Sequence, residues 1–227
     1  MADKSVLIIG ASRGIGLGLA TEFSSRGWRV IASERSRSDD LHALAQGKPV
    51  EIVTVDVTEP DSYEGLAAKL GEKSLDAIIV NAGVTGAAHQ SAEQATDEDI
   101  AQVMQTNAYG PVRMARSLLP AIKDGGMMGF MSSLMGSIAD SSGGFEFYRV
   151  SKASLNMLAK GIAEQQAKAR NIEVLSLHPG WVQTDMGGPN ALIDVTISVN
   201  GMRKVIEGLQ TKQSGDFIAY DGTLVPW

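Results

Sequence analysis

There is no cysteine anywhere in the 227 residues. That absence excludes disulfides, thiolate zinc sites, iron–sulfur clusters and thiol nucleophiles. Histidine is nearly as scarce: with only His42, His89 and His178, no metal site is expected. Proline is sparse at 7 residues and aromatics make up 5%. The chain is therefore no proline-rich linker, and its core must come from Ala, Val, Ile, Leu and the 10 Met. Positive charge is in deficit, with 20 basic residues against 26 acidic and a formal net charge of −6. That balance argues against a nucleic-acid surface. Long apolar runs are missing too. None approaches the roughly 18 residues of a membrane span, and the start, MADKSVLIIG, lacks the layout of a secretion signal. The expectation left standing is a cytoplasmic globular protein.

What the chain has in plenty is glycine, 25 residues, which marks places where backbone turns sharply or approaches something closely. Short apolar runs recur through the sequence: Ser5–Ile9, Trp28–Ser33, Glu51–Val55, Leu75–Val80, Met127–Met131, Ile172–Leu177 and Asp216–Ala219. Most are rich in β-branched residues without strict alternation, as suits strands buried on both faces of a parallel sheet. Helical patterns separate them: Ile15–Ser25, Asp39–Ala45, Pro60–Leu70, Asp97–Ile122, Glu146–Ala169 and Asp194–Leu209. Strand–helix alternation throughout predicts one α/β domain over 1–227, a doubly wound Rossmann fold with about seven mostly parallel strands.

The first strand runs into Gly10-Ala11-Ser12-Arg13-Gly14-Ile15-Gly16. Glycines there allow a tight turn and let a diphosphate approach the free N–H groups of the next helix. Five further motifs follow in order: Asp56-Val57; Asn81-Ala82-Gly83; Asn107; Met131-Ser132-Ser133 with Tyr148-Arg149-Val150-Ser151-Lys152; and His178-Pro179-Gly180-Trp181-Val182-Gln183-Thr184. Together they resemble the classical short-chain dehydrogenase/reductase family over essentially the whole chain. The resemblance implies that Gly10, Ser12, Arg13, Gly14, Ile15 and Gly16 cradle the diphosphate of a nicotinamide cofactor. It implies adenosine contacts at Asp56, Val57, Asn81, Ala82 and Gly83. Nicotinamide contacts fall to Pro179, Gly180, Val182 and Thr184, and ribose contacts to Tyr148 and Lys152.

Tyr148 and Lys152 are four apart on a predicted helix, so they share one face about 6 Å apart. A phenol has a reference pKa of about 10, and a neighbouring ammonium favours the phenolate. Bringing it to about 7 takes roughly 4 kcal/mol, with Lys152 and the cofactor's positive ring as sources. By resemblance Tyr148 is the general acid/base, Ser133 orients the carbonyl and Asn107 supports a proton relay. The Ser133–Tyr148 stretch is two residues longer than is usual in the family. Ser132 and Ser137 therefore remain alternatives to Ser133, and the extra residues fall in a flexible turn, Asp140-Ser141-Ser142-Gly143-Gly144. His178 reads as structural; His42 and His89 read as surface residues.

At the end of the second strand an acid binds the ribose hydroxyls of NAD, whereas arginine accommodates a 2′-phosphate. This chain offers both, Glu34 then Arg35, with Arg13 in the glycine turn. Two arginines offset one carboxylate, and Glu34 can pair with either, so NADPH is favoured over NADH. The segments around Ser133–Asp140, Pro179–Gly188 and the last residues resemble C-factor and sniffer-like carbonyl reductases. They imply reduction of an aldehyde or ketone, a small-molecule carbonyl or alcohol, with a short lid over Gly187–Thr196. The alternative from another class is a nicotinamide-binding signalling protein whose catalysis is incidental. Family members pair through their long helices, which implies a homodimer or homotetramer.

Overall fold

The structure, a computed structural model, describes residues 4–208 and 213–227. Its first strand shows why the apolar runs do not alternate. In β1 (Ser5–Ile9) every residue is buried. Val6 and Ile8 join one apolar cluster while Leu7 and Ile9 join another. Successive side chains point to opposite faces of a strand, so a strand covered on both sides must be apolar throughout.

The strands β1, β2 (Arg29–Glu34), β3 (Val50–Thr54), β4 (Leu75–Val80), β5 (Ile122–Met131), β6 (Glu173–His178) and β7 (Phe217–Ala219) make one seven-stranded sheet. Its order is β3-β2-β1-β4-β5-β6-β7, and every neighbouring pair is parallel. On one face lie α1 (Gly14–Ser25), α2 (Asp39–Ala45) and α7 (Val195–Ile206), whose Leu19, Phe23, Leu41, Val199 and Met202 meet Val6 and Ile8. On the other lie α3 (Pro60–Leu70), α4 (Asp97–Met104), α5 (Gly110–Leu118) and α6 (Glu146–Ile162). Their Tyr63, Leu66, Val112, Leu118, Leu155 and Ile162 cover Leu7, Ile9, Ile78 and Phe130. Truncating a fully buried ring such as Phe130 costs about 3–5 kcal/mol. The expected doubly wound sheet is the one observed.

Strand order reverses between β1 and β4, and a crevice opens at such a switch beyond the strands' carboxyl ends. The loops after β1, β4, β5 and β6 therefore converge there.

Two long helices expected from the sequence are interrupted. The predicted Asp97–Ile122 helix is α4, a wide turn at Gln105–Tyr109, α5 and a tight turn at Leu119–Ala121. In the wide turn the Gly110 N–H reaches back five residues to the Gln105 carbonyl. A Cβ on Gly110 would lie 2.4 Å from the Val57 carbonyl oxygen, so the helix touches the loop after β3 there and no side chain fits between. Ile122 then begins β5. The predicted Glu146–Ala169 helix likewise gives way after Ile162 to wide and tight turns. Asp194 caps α7 from outside, its carboxylate accepting the Ile197 N–H at 2.8 Å. Leu209, the expected end of that helix, lies outside the described residues.

Candidate active site

The glycine turn follows β1 at the switch point. Gly10 has φ +83, and a Cβ there would sit 2.8 Å from the Ala82 nitrogen. On Gly16 a Cβ would lie 2.0 Å from the Gly10 carbonyl oxygen. Any side chain would break the turn at either place. Asn81 closes it from β4, its Nδ2 donating to the Gly10 carbonyl at 2.8 Å. The Gly10 N–H donates to Ser33 Oγ at 2.9 Å. No side chain caps α1, and its first turn holds no acid. Its leading N–H groups and the positive end of its dipole are thus free for an anion. Backbone from Ser12 to Gly16, with exposed Arg13 beside it, fits a diphosphate.

Across the crevice Tyr148, Ser133 and Lys152 come together. The Tyr148 and Ser133 hydroxyls lie close enough to interact, and Lys152 Nζ lies 5.5 Å from the centre of the Tyr148 ring. The Lys152 ammonium donates to the Met131 carbonyl at 2.8 Å, at the end of β5. Burial alone lowers its pKa to about 8. Burial also pushes the Tyr148 phenol up to about 12, with the Ser133 hydroxyl acting the other way. The expected lowering of the Tyr148 pKa by Lys152 is therefore not found. The reason is physical: the ammonium is aimed at a backbone carbonyl, not at the phenol, and desolvation opposes both charged forms.

The three candidate serines separate by contact. Ser133 reaches Tyr148 and accepts the Met135 N–H at 3.2 Å. Ser137 is spent on the Asp140 N–H at 3.1 Å. The Ser132 hydroxyl is buried with no partner among the described residues. The extra turn between Ser133 and Tyr148 was expected to be flexible, but Arg149 ties it down. Its Nε donates to the Gly144 carbonyl at 3.0 Å and its Nη2 to Ser142 Oγ at 3.3 Å.

Asn107 lies in the wide turn between α4 and α5. Its Nδ2 donates to the Val84 carbonyl at 2.7 Å and to Ser151 Oγ at 2.9 Å; its Oδ1 accepts the Val84 N–H at 2.8 Å. It thereby joins the loop after β4 to α6, one residue before Lys152. Gly83 sits between them: a Cβ there would lie 3.2 Å from Asn107 Oδ1 and 3.3 Å from Lys152 Nζ.

At the far end of the crevice, Asp56 folds its carboxylate onto Thr58 N–H and hydroxyl at 2.9 and 2.7 Å, and Val57 is buried. Glu34 pairs with neither arginine. Its Oε2 accepts the Ser38 N–H at 2.7 Å and its Oε1 lies 2.9 Å from His42 Nε2. Burial pushes this carboxyl up, yet those hydrogen bonds and the charges of His42 and Arg37 more than offset it, holding it below its ordinary range. Arg13 instead meets Asp185 at 3.0 Å, both exposed. Arg35 is exposed with no partner among the described residues.

The loop after β6 closes the other end of the crevice. Pro179 is held through its carbonyl by Ser198 Oγ at 2.6 Å, and Gly180 turns at φ +86. Val182 pairs with Ile193, pinning the base of the short lid. Thr184 accepts the Gly187 N–H at 3.1 Å, and its Cγ2 would lie 3.3 Å from a Cβ on Gly14. Thr184 therefore faces the glycine turn directly, and the lid after it ends before α7 rather than at Thr196. His178 accepts the Leu134 N–H at 3.2 Å; burial lowers its pKa to about 4, so the imidazole is a neutral strut.

A family model described as enoyl-(acyl carrier protein) reductase matches residues 10–211. The chain belongs to the short-chain dehydrogenase/reductase family. Within that family this chain is an oxidoreductase. The C-signal protein of Myxococcus xanthus is 42% identical over 158 residues, 67% of this chain and 93% of that one. A short-chain dehydrogenase/reductase from Burkholderia multivorans, solved with bound NADP, aligns with TM-score 0.92 at 35% identity, over 99% of this chain and 100% of that one. The carbonyl reductase Sniffer of D. melanogaster aligns with TM-score 0.91 at 30% identity, again over 99% and 100%.

One residue of the candidate site is not evident from the sequence. Gln90 has φ +51. Its Oε1 accepts the Tyr148 N–H at 3.3 Å, its carbonyl accepts the Glu146 N–H at 3.1 Å, and its Nε2 donates to Thr85 and Ala87 carbonyls at 2.7 and 2.8 Å. It caps α6, whose own N-cap side chain makes no such bond. No motif marks it, because the signal is a contact across 58 residues.

Proposed function

We propose that this protein reduces an aldehyde or ketone to the alcohol, reversibly, with NADPH. The observation that carries the reading is the meeting of Tyr148, Ser133 and Lys152 beside an uncapped helix N-terminus at the switch of the sheet. Gly10, Ser12, Arg13, Gly14, Ile15 and Gly16 would hold the diphosphate, and Asp56, Val57, Asn81, Ala82 and Gly83 would line the adenosine. Pro179, Gly180, Val182 and Thr184 would border the nicotinamide. When bound, the cofactor supplies the hydride.

The chain's own groups do the rest. A phenol raised to about 12 is fully protonated at neutral pH, so Tyr148 is set to act as an acid. It donates its proton to the carbonyl oxygen, because an alkoxide is a stronger base than a phenolate. Ser133 donates a second hydrogen bond to that oxygen and fixes its position. Lys152, whose pKa of about 8 is within reach of neutral pH, replenishes the proton with Asn107 holding the α6 side of the path. In the oxidation direction Tyr148 must first lose its proton, which burial opposes; cofactor charge and Lys152 are what remain to favour it.

The preference for NADPH rests on Arg35 and Arg13, and the NADP-bound Burkholderia relative supports it. Replacing Arg35 with Ala raises the KM for NADPH well above that for NADH; equal effects on both contradict the assignment. We place the enzyme in the cytoplasm as a homodimer at least. Exposed Ile100, Tyr109, Val150 and Met157 on the α4–α6 side support pairing there. The likeness to C-signal supports a second reading, a signalling protein that binds the cofactor. The test is a screen of aldehydes, ketones, quinones and keto esters with NADPH and NADH in parallel. Turnover with NADPH is expected; cofactor binding without turnover of any carbonyl favours the second reading.

A further inference from the structure

Glu34 is the one residue at odds with NADPH. A free acid at the end of β2 would bind ribose hydroxyls and repel a 2′-phosphate. The carboxylate here is not free. One oxygen accepts the Ser38 N–H at 2.7 Å, the other lies 2.9 Å from His42 Nε2, and the side chain is only 9% exposed. Arg37 Nη1 lies 3.4 Å from the other ring nitrogen, His42 Nδ1. A guanidinium can only donate, so that contact favours a lone pair on Nδ1; in that tautomer, as in the imidazolium, Nε2 carries a hydrogen aimed at Glu34. Ser38 in turn donates its hydroxyl to the Ser12 carbonyl at 2.6 Å, which ties the turn holding the acid to the glycine turn. The cations of that end are Arg13, Arg35 and Arg37, all exposed. Asp185 and Asp39 pair with two of them at the surface, where ion pairs are weak.

We infer that His42 sets the cofactor preference of this enzyme by holding the Glu34 carboxylate against the start of α2. Each carboxylate oxygen is engaged once inside the protein and the acid is held away from the cofactor side, so the exposed arginines dominate the field that a 2′-phosphate meets. His42 is a positioning residue, and the inference rests on the nicotinamide-cofactor reading above.

The experiment compares kcat/KM for NADPH and NADH in the wild-type enzyme, H42L, H42Q, E34Q and the H42L/E34Q double variant. H42L is expected to lower the NADPH-to-NADH ratio about tenfold, the size of one charge-assisted hydrogen bond, through KM with kcat little changed. H42Q, whose amide reaches the place of Nε2, keeps the ratio. With Glu34 neutralised, H42L no longer moves it. An unchanged ratio in H42L overturns the inference. So does equal weakening of both cofactors, or the same tenfold shift in the E34Q background. Should H42L not fold, H42N makes the same test, its shorter amide falling short of Glu34. The cofactor reading fails separately: wild-type preference for NADH overturns it, while the direction of the His42 shift still decides the role of His42.

Discussion

The two ends of one sheet handle charge in opposite ways. At the amino ends of the strands, charges are paired. Asp76 accepts the Ser5 N–H and the Lys123 ammonium, both at 2.8 Å, and Asp124 holds Lys73 at 2.7 Å and Arg170 at 2.8 Å. Around the carboxyl ends of β5 and β6, Tyr148, Lys152 and His178 are withdrawn from solvent without ion pairs. Burial pushes Tyr148 up to about 12, Lys152 down to about 8 and His178 down to about 4. Pairing lowers a carboxyl and stabilises the fold; unpaired burial costs stability and holds groups ready to exchange protons. The contrast separates the end that supports the fold from the end that holds the candidate site.

Lys152→Met breaks the contrast most sharply. Carbonyl reduction should fall at least about a hundredfold, while the melting temperature holds or rises, because an apolar side chain replaces a desolvated ammonium. A matching loss of stability would mean that Lys152 supports the fold. The opposite pattern is expected from Asp76→Asn at the other end. Thermal or urea unfolding should show a loss of about 1–3 kcal/mol, with kcat/KM unchanged. Gln90→Ala lies between the two. It leaves the first turn of α6 uncapped at a cost of about 1 kcal/mol and should lower kcat severalfold more than it changes cofactor KM.

His178 gives a pH signature. It is neutral in the fold down to about 4 and protonates near 6.5 in the unfolded chain. Below 6.5 the unfolded state therefore binds the extra proton, so stability falls with pH between about 6.5 and 4 and this contribution levels off below. His178→Gln, which keeps an acceptor for the Leu134 N–H, should flatten melting temperature against pH over that window. Smallest of all is Lys73→Ala: an exposed pair with Asp124 is worth about 0.2–1 kcal/mol, and high salt should erase the difference.

Much of this was legible in the chain. Six of the seven strands are apolar runs that differ from the observed spans by at most a residue or two at either end, because burial on both faces leaves no other pattern. The glycine turn was legible because Gly10 and Gly16 face backbone atoms that exclude a side chain. The break at Asn107 was not, since one extra residue in a helical turn leaves the apolar period almost unchanged, and only contact with Val57 shows it. Strand β5 begins at Ile122, five residues before the run Met127–Met131, through an irregular pairing with β4. The partner of Glu34 was missed for a similar reason. His42 is eight residues away, across a turn whose geometry the sequence does not spell out. Charge environments were least legible of all: the Tyr148–Lys152 spacing implied a lowered phenol pKa, whereas the direction of the ammonium and the depth of burial reverse it.

The central claim is that a protonated Tyr148 is the acid of carbonyl reduction at the carboxyl end of the sheet. Tyr148→Phe removes one oxygen and leaves the ring beside Lys152. Measured by NADPH fluorescence and by NADPH oxidation with a reactive aldehyde, the variant should bind cofactor as the parent does and lose at least about a hundredfold in turnover. Turnover within a few-fold of the parent, with binding intact, would contradict the account.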